Sequence, residues 1–294
     1  MLLSYRRHAP RLLPGAEISV ARLVSEHWVV RCTRGEGLVQ DERLLMNPQP
    51  PGRSKLLVVL RGRCTVFVGD DAHELTVGQA VAVRDLDSLR LRSTSGLETL
   101  EFDWSPGRGF GPEPGARLEC GAVGATTLHA LRSLREGMHT GRTDAGLFEG
   151  LTRGLGALRS EGLGVDERRI EPVAEPASEP VPTQRVLSLV DRTLSRLDQN
   201  PDAEEMASEM GQTRRTLHRH LQAMAGRNLL VTGEWRAQRD QYRLLLATVY
   251  LSHPAATARL VARLVGYRSA EALCHALARQ GLPAPMQLRR ELRG

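Results

Sequence analysis

The chain has 294 residues, 41% of them hydrophobic, and a formal net charge of +6. That length admits two domains, that apolar fraction excludes wholesale disorder, and no apolar run approaches a membrane span. Residues 184–294 hold 17 Arg against 10 Asp plus Glu, a local +7, while residues 1–183 sum to −1, so the basic surplus, which suits a polyanion, belongs to the C-terminal third.

The first stretch, MLLSYRRHAPRLLPG, has arginines but no apolar segment leading to a small-residue cleavage site. No secretory signal is expected, and a cytoplasmic location is. Cys32, Cys64, Cys120 and Cys274 are scattered without a C-x-x-C. That spacing gives no zinc motif and no disulfide framework; buried free thiols are the first reading and a redox-sensing thiol the second.

Residues 16–104 read as short strands. Ile18 and Val20 alternate with Ser19; Trp28, Val30 and Cys32 alternate with Val29 and Arg31; Leu56 to Leu60 is a buried-type run. Cys64, Val66 and Val68 precede a Gly69-Asp70-Asp71 turn signal. Leu75 with Val77, Ala80 to Val83, Leu89 with Leu91, and Leu100-Phe102-Trp104 complete the set. Many short strands with Gly and Asp between them predict a sandwich or barrel. The segment from Leu60 to Val83, with Gly62, Gly69 and Gly78 at its turns, resembles the core of the cupin jelly roll. Metal-dependent cupins use an H-x-H pair with a glutamate and a further His, whereas this region offers only His27 and His73. No metal, no cofactor and no enzyme activity are therefore expected. Nor is there a phosphate loop or a G-x-S-x-G elbow.

Residues 121–162 form the next expected element, a helical hairpin. Leu128, Leu131 and Leu134 share one face; Leu147, Leu151, Leu155 and Leu158 form a second stripe, with Gly141 in the turn between. Such stripes either pack on the barrel or serve dimerisation. Gly150, Gly154 and Gly156 lower helix propensity in the second helix. Residues 163–183 read as a Pro/Glu linker: EPVAEPASEPVP, Glu171 to Pro182, repeats Glu-Pro every four residues. Proline fixes φ and removes a donor, so such a segment is extended, about 35–40 Å for twelve residues.

Residues 184–294 predict helices throughout. Val186, Leu187, Val190, Leu194 and Leu197 pattern a first helix. In DAEEMASEMGQTRRTLHRHL, Asp202 to Leu221, the residues Ala203, Met206, Ala207 and Met210 share a face, and Gly211 makes the break. Thr213 caps a second helix, where Leu217 and Leu221 point inward and Arg214, Arg215, His218 and Arg219 outward. A helix so built suits the major groove, since Arg can bond guanine O6 and N7 together. A long helix, about Glu234 to Ser252, leads to a second unit: Ala258 to Val265, a Gly266-Tyr267 turn, a Ser269 cap, and Ala270 to Arg279, with Pro283 and Pro285 after it.

Two helix–turn–helix units, about 202–223 and 257–280, joined by one long helix behind a jelly-roll domain at about 1–120, resemble the AraC/XylS family of transcription regulators. The residues that carry the resemblance are Ala207 with Gly211-Gln212-Thr213-Arg214-Arg215-Thr216-Leu217 in the first unit and Arg243, Ala247 and Leu251 in the joining helix. Val261-Ala262-Arg263-Leu264-Val265-Gly266-Tyr267 carries it in the second unit, and Ala284-Pro285 with Arg289 at the close. The resemblance implies an α+β multidomain protein: an N-terminal cupin-like β jelly roll with a helical hairpin, then an all-α double helix–turn–helix domain. It implies a homodimer on double-stranded DNA, with a small-molecule or protein effector at the N-terminal domain and one recognition helix in each of two successive major grooves. The base-reading positions become Arg215, His218 and Arg219 in the first unit and Glu271, Cys274 and His275 in the second. Thr213, Arg214, Arg268 and Ser269 suit phosphates, which position rather than specify.

Two departures from the family pattern matter. The span from Gly226 to Arg243 is about six residues longer, which places an insertion near Arg227 to Gly233; and Leu273, Leu277 and Gly281 stand where phenylalanines are usual. The outer face of the second unit carries Ala270, Glu271, Ala272 and Cys274 where polar or basic readers are usual. The first unit is therefore expected to carry most of the sequence reading. The alternative is a protein-interaction regulator whose DNA binding is weak or lost through a degraded second unit.

Overall fold

The computed structural model describes residues 2–24, 28–42, 54–68, 70–84, 89–104, 118–140, 145–163, 181–199, 201–226 and 230–293. The chain divides into two compact units. One comprises Met1–Tyr5, Ile18–Glu36 and Asn47–Ala177; the other comprises Arg6–Glu17, Gly37–Met46 and Ser178–Gly294. The layout is α+β: a jelly-roll unit with a helical hairpin, and an all-α unit with two helix–turn–helix elements.

Among the described residues ten strands are formed: β1 (Leu2–His8), β2 (Glu17–Val24), β3 (Trp28–Glu36), β4 (Ser54–Arg61), β5 (Arg63–Val68), β6 (Asp71–Thr76), β7 (Gln79–Arg84), β8 (Leu89–Ser93), β9 (Glu98–Trp104) and β10 (Leu118–Ala122). Seven make one sheet in the order β1-β2-β3-β9-β4-β7-β10, and three make a second, β6-β5-β8. Strand periodicity assigns the two faces of the large sheet. Leu57 and Val59 of β4, with Val81 and Val83 of β7, share a core with Cys64, Val66, Leu75, Leu89 and Leu91 of the small sheet. Leu56, Val58 and Leu60, with Leu100, Phe102 and Trp104 of β9, face the opposite way, toward the helices.

Two strands have no periodic signal. In β1 the first three residues, Leu2, Leu3 and Ser4, are all buried, so the run does not alternate. β10 is a five-residue edge strand whose identity comes from its ladder on β7, Leu118 opposite Val83 through Ala122 opposite Gln79. Val77, expected in a strand, is exposed in the turn that leads to Gly78 (φ +78°). Gly62 also turns with positive φ, +78°, while Gly69 and Gly141 lie outside the described residues.

The hairpin is α1 (Ala125–His139) and α2 (Ala145–Ser160). Leu131, Leu134, Leu147, Leu151, Leu155 and Leu158 are all buried against the large sheet, and Leu128 packs beside them. Both apolar stripes are thus consumed within the unit. The helix glycines have a packing use: a Cβ on Gly154 would come 3.1 Å from Leu131, and one on Gly150 3.8 Å from the Leu134 backbone. Close approach of the two helices offsets the propensity they lose.

The helical unit holds α3 (Val181–Leu194), a 3₁₀ turn (Leu197–Gln199), α4 (Ala203–Glu209), α5 (Arg214–Gly226), α6 (Trp235–Leu251), α7 (Ala258–Leu264), α8 (Ala270–Arg279) and α9 (Pro285–Arg293). The first helix begins at Val181, within the stretch expected as linker; residues 164–180 lie outside the described ones. Pro285, beyond the second helix–turn–helix, opens α9, where a missing N–H costs nothing. Residues 6–17 and 37–46 also belong to this compact unit. Arg6 donates to Asp191 of α3 and lies 5.0 Å from the Tyr242 ring of α6. His8 Nε2 is 2.9 Å from the Tyr242 hydroxyl, and His253 Nε2 is 3.1 Å from the Pro14 carbonyl.

Candidate nucleic-acid interface

Local chemistry sets each helix start in the first helix–turn–helix. Asp202 accepts from the Glu204 and Glu205 amides while the Glu205 carboxylate accepts from the Asp202 amide, a reciprocal cap for α4. Met206 and Ala207 bury the inner face. Gly211 takes φ +62°, a cheap left-handed residue between helices. Thr213 Oγ1 then accepts from the Thr216 amide at 3.2 Å and starts α5.

On α5, Leu217, Leu221 and Met224 are buried, while Thr213, Arg214, Arg215, His218 and Arg219 are exposed. Three guanidiniums and an imidazole therefore leave one helix into solvent. His218 has a neighbour the sequence did not announce: its Nε2 lies 3.8 Å from Glu234 Oε1, at the N-terminus of α6.

The second helix–turn–helix has the same backbone with different chemistry. Thr257 caps α7 through the Leu260 amide, Gly266 turns at φ +81°, and Ser269 Oγ accepts from the Ala272 amide at 3.2 Å to start α8. Leu273, Ala276 and Leu277 are buried. Of the expected contact positions, Arg268, Glu271 and His275 are exposed, and Ser269 and Cys274 are half-buried. The Ser269 hydroxyl, a backbone amide and the nearby His275 hold the Glu271 carboxyl below its usual range. α8 thus presents a carboxylate where α5 presents guanidiniums.

One buried knot ties the segment ahead of the first helix–turn–helix to the joining helix and the second helix–turn–helix. Arg243 of α6 is 5% exposed; its Nη2 lies 3.4 Å from the Leu197 carbonyl, and its guanidinium sits 5.6 Å from the Tyr267 ring. Gly266 is pinned there, since a Cβ would meet the Leu197 oxygen at 2.1 Å and Arg243 Nη2 at 2.7 Å. The 3₁₀ turn ahead of the first element, the joining helix and the turn of the second therefore meet at one guanidinium. Trp235 Nε1 and Arg239 Nη1 both donate to the Pro201 carbonyl, at 3.2 and 3.0 Å, and anchor the entry to α4. Those two residues carried no sequence signal beyond helical spacing. Arg289 closes the set by donating to the Pro254 carbonyl at 2.8 Å.

Of the insertion, residues 227–229 lie outside the described ones; Leu230 and Gly233 are packed and the Val231 side chain is exposed. Leu230 is buried, the Val231 and Thr232 amides both donate to Gln238 Oε1, and a Cβ on Gly233 would strike Gln222 at 2.5 Å. The extra residues thus close onto α5 and α6.

No family profile matches the chain, and no curated protein does. Among solved structures, ToxT from Vibrio cholerae aligns over 99% of this chain and 100% of its own, at 10% identity and a TM-score of 0.37. The AraC-like transcriptional activator CuxR aligns over 74% and 79% respectively, at 10% identity and a TM-score of 0.34. Ylba from E. coli aligns over 42% of this chain and 52% of its own, at 12% identity and a TM-score of 0.29. These are distant likenesses, and the functional reading rests on the chain's own residues. No described helix is long and apolar enough to cross a membrane.

Proposed function

We propose that the chain is a sequence-specific DNA-binding transcription regulator of AraC type, with α5 as the principal reading helix. The observation that carries this is the exposed set Arg214, Arg215, His218 and Arg219 on a helix whose opposite side, Leu217, Leu221 and Met224, is buried. Arg215, His218 and Arg219 are assigned to base edges, and Thr213, Arg214, Arg268 and Ser269 to phosphates. In α8, Glu271, Cys274 and His275 occupy the reading positions, and an ionised Glu271 opposes phosphate. The second helix–turn–helix therefore mainly packs and touches backbone. The sheet unit is assigned the sensing of an effector or partner that shifts how the helical units are presented as a homodimer on paired half-sites. Because the stripes of α1 and α2 are buried within that unit, a dimer contact would use other surfaces.

The exposed carboxylate on α8 is also what favours the second reading, a protein-interaction regulator with weak DNA binding. The two are separated by full-chain binding to a genomic DNA library across a salt series, with Arg219→Ala and His275→Ala beside the wild type. The regulator reading expects one enriched site, log affinity falling steeply with log salt, and a loss for Arg219→Ala of about tenfold or more, larger than that for His275→Ala. No enrichment of any sequence over competitor would overturn it in favour of the interaction protein.

A further inference from the structure

Cys32 of β3, Glu98 of β9 and His139 at the end of α1 converge, each offering one donor atom, with all three donors within 4.8 Å of one another. They lie on the helix-facing side of the large sheet: Cys32 belongs to the core beneath the hairpin, and Glu98 shares its strand face with Leu100 and Phe102. The group is thus outside the space between the two sheets. Cys32 is fully buried and Glu98 is 3% exposed. The Tyr5 ring stands edge-on to His139, with centroids 5.4 Å apart, and helps orient the imidazole.

Thiolate, carboxylate and imidazole together form a donor set suited to zinc-class ions. A buried carboxylate demands a compensating cation. Here Arg135, one turn before His139 on α1, supplies it from Nε at 3.2 Å from Glu98 Oε1. That oxygen accepts no hydrogen bond among the described residues, so the pairing is electrostatic and not a formed fork. Ligands of a tetrahedral zinc ion, at bond lengths of about 2.0–2.3 Å, stand roughly 3.5 Å from each other. Closing from 4.8 Å needs about an ångström of side-chain movement, within reach of Glu98 and His139 torsions once Arg135 swings away.

We propose that Cys32, Glu98 and His139 bind one zinc-class divalent cation, with Arg135 as the internal cation it displaces. The Cys32 thiol gives its proton to solvent on binding. Thiolate and carboxylate then neutralise the ion, and the fourth position is left to water. The ion ties the C-terminal end of α1 to β3 and β9, so its binding reports on hairpin docking. This holds whether or not the helical unit reads DNA.

The test uses the full chain, stripped with chelator and titrated with Co²⁺ in place of zinc. One saturable equivalent is expected, with a thiolate-to-cobalt charge-transfer band, tetrahedral d–d bands and a raised thermal midpoint. Cys32→Ser abolishes the charge-transfer band, and Cys120→Ser, at an exposed cysteine, leaves it. His139→Gln and Glu98→Gln weaken binding by about tenfold or more, since even outer-shell losses cost that much. Arg135→Met tightens binding by removing the competitor, an outcome that a merely structural disturbance does not produce and that stands even if Cys32→Ser fails to fold. Absence of saturable binding, absence of the thiolate band in the wild type, or weaker binding in Arg135→Met overturns the proposal.

Discussion

Arg6 and Asp191 stand 185 residues apart in the chain and form an ion pair that is buried on both sides, with side-chain exposures of 8% each. Both residues lie in the helical unit. Removing one partner of a buried pair leaves the other charge desolvated, which costs about 3–5 kcal/mol. Arg6→Met is expected to destabilise the full chain by about 3 kcal/mol in urea unfolding, and the double change Arg6→Met with Asp191→Leu to recover most of the loss. A fragment of residues 184–294 loses Arg6, the Pro14 carbonyl beside His253 and the Val39 amide that donates to Ser252 Oγ at 2.8 Å. Such a fragment should therefore unfold at lower urea than the same helices in the intact chain.

His8 supplies a pH dependence. Burial, then the neighbouring Arg6, lowers its pKa to about 4 from an ordinary 6.5. The folded state holds His8 neutral beside Tyr242, while the unfolded chain protonates it near 6.5. Below that pH the unfolded state binds more protons, so stability falls as pH drops from about 6.5 and levels off near 4. The total is on the order of 3 kcal/mol. His8→Gln removes that part of the slope, and melts of both proteins between those two pH values would reveal a shared slope if another group were responsible.

The two helix-break glycines separate backbone strain from crowding. Gly211 has φ +62° with nothing within 4 Å of where a methyl would sit, so Gly211→Ala costs only the left-handed penalty of about 1–2 kcal/mol. Gly266 adds collision with the Leu197 carbonyl and Arg243, and Gly266→Ala should cost about 3 kcal/mol or more. Paired urea titrations check the difference. Equal costs would mean that the Arg243 knot yields without strain.

These contrasts mark what sequence can carry. Thr213, Ser269 and Gly211 act on residues within a few positions of themselves, so helix starts and breaks were legible from spacing, whereas the crowding of Gly266 against Leu197 and Arg243 was not. The strands with alternating faces were legible for the same reason. β10 was not, because a short edge strand is defined by its partner β7 and not by its own pattern. Lys55, the single lysine of the chain, had no readable role. It lies buried on the inner sheet face, with Nζ 2.9 Å from Glu101 and 3.7 Å from Asp103, while Arg31 Nη1 approaches Glu101 at 3.5 Å. Burial pushes the Glu101 carboxyl up, but Lys55 and Arg31 outweigh it and the net direction is down. Pairing across three strands leaves no local trace, nor does a Cys, Glu and His set spread from position 32 to 139.

Lys55→Met tests that cluster. Two buried carboxylates, Glu101 and Asp103, would then face Arg31 as their remaining cation among the described residues, and a loss of about 3 kcal/mol is expected at neutral pH. Protonating the carboxylates relieves it, so the deficit relative to wild type should shrink on acidification. A deficit that stays constant with pH would assign the loss to packing.

Glu234 is the residue most open to test at the proposed DNA face. Its carboxylate sits 3.8 Å from His218, and both side chains are largely exposed, at 65% and 46%. A surface pair of this kind is worth about 0–1 kcal/mol to stability, so Glu234→Gln should leave unfolding nearly unchanged. The same substitution removes a negative charge from beside α5 and releases His218 toward a base or phosphate. DNA affinity should therefore rise severalfold at low salt, and the gain should shrink as salt screens the lost repulsion. Glu234→Gln combined with His218→Ala distinguishes the two contributions. If the gain survives the second change, it comes from repulsion alone; if it disappears, His218 is the group that Glu234 holds back. An unchanged affinity at every salt concentration would place the DNA contact away from this end of α5.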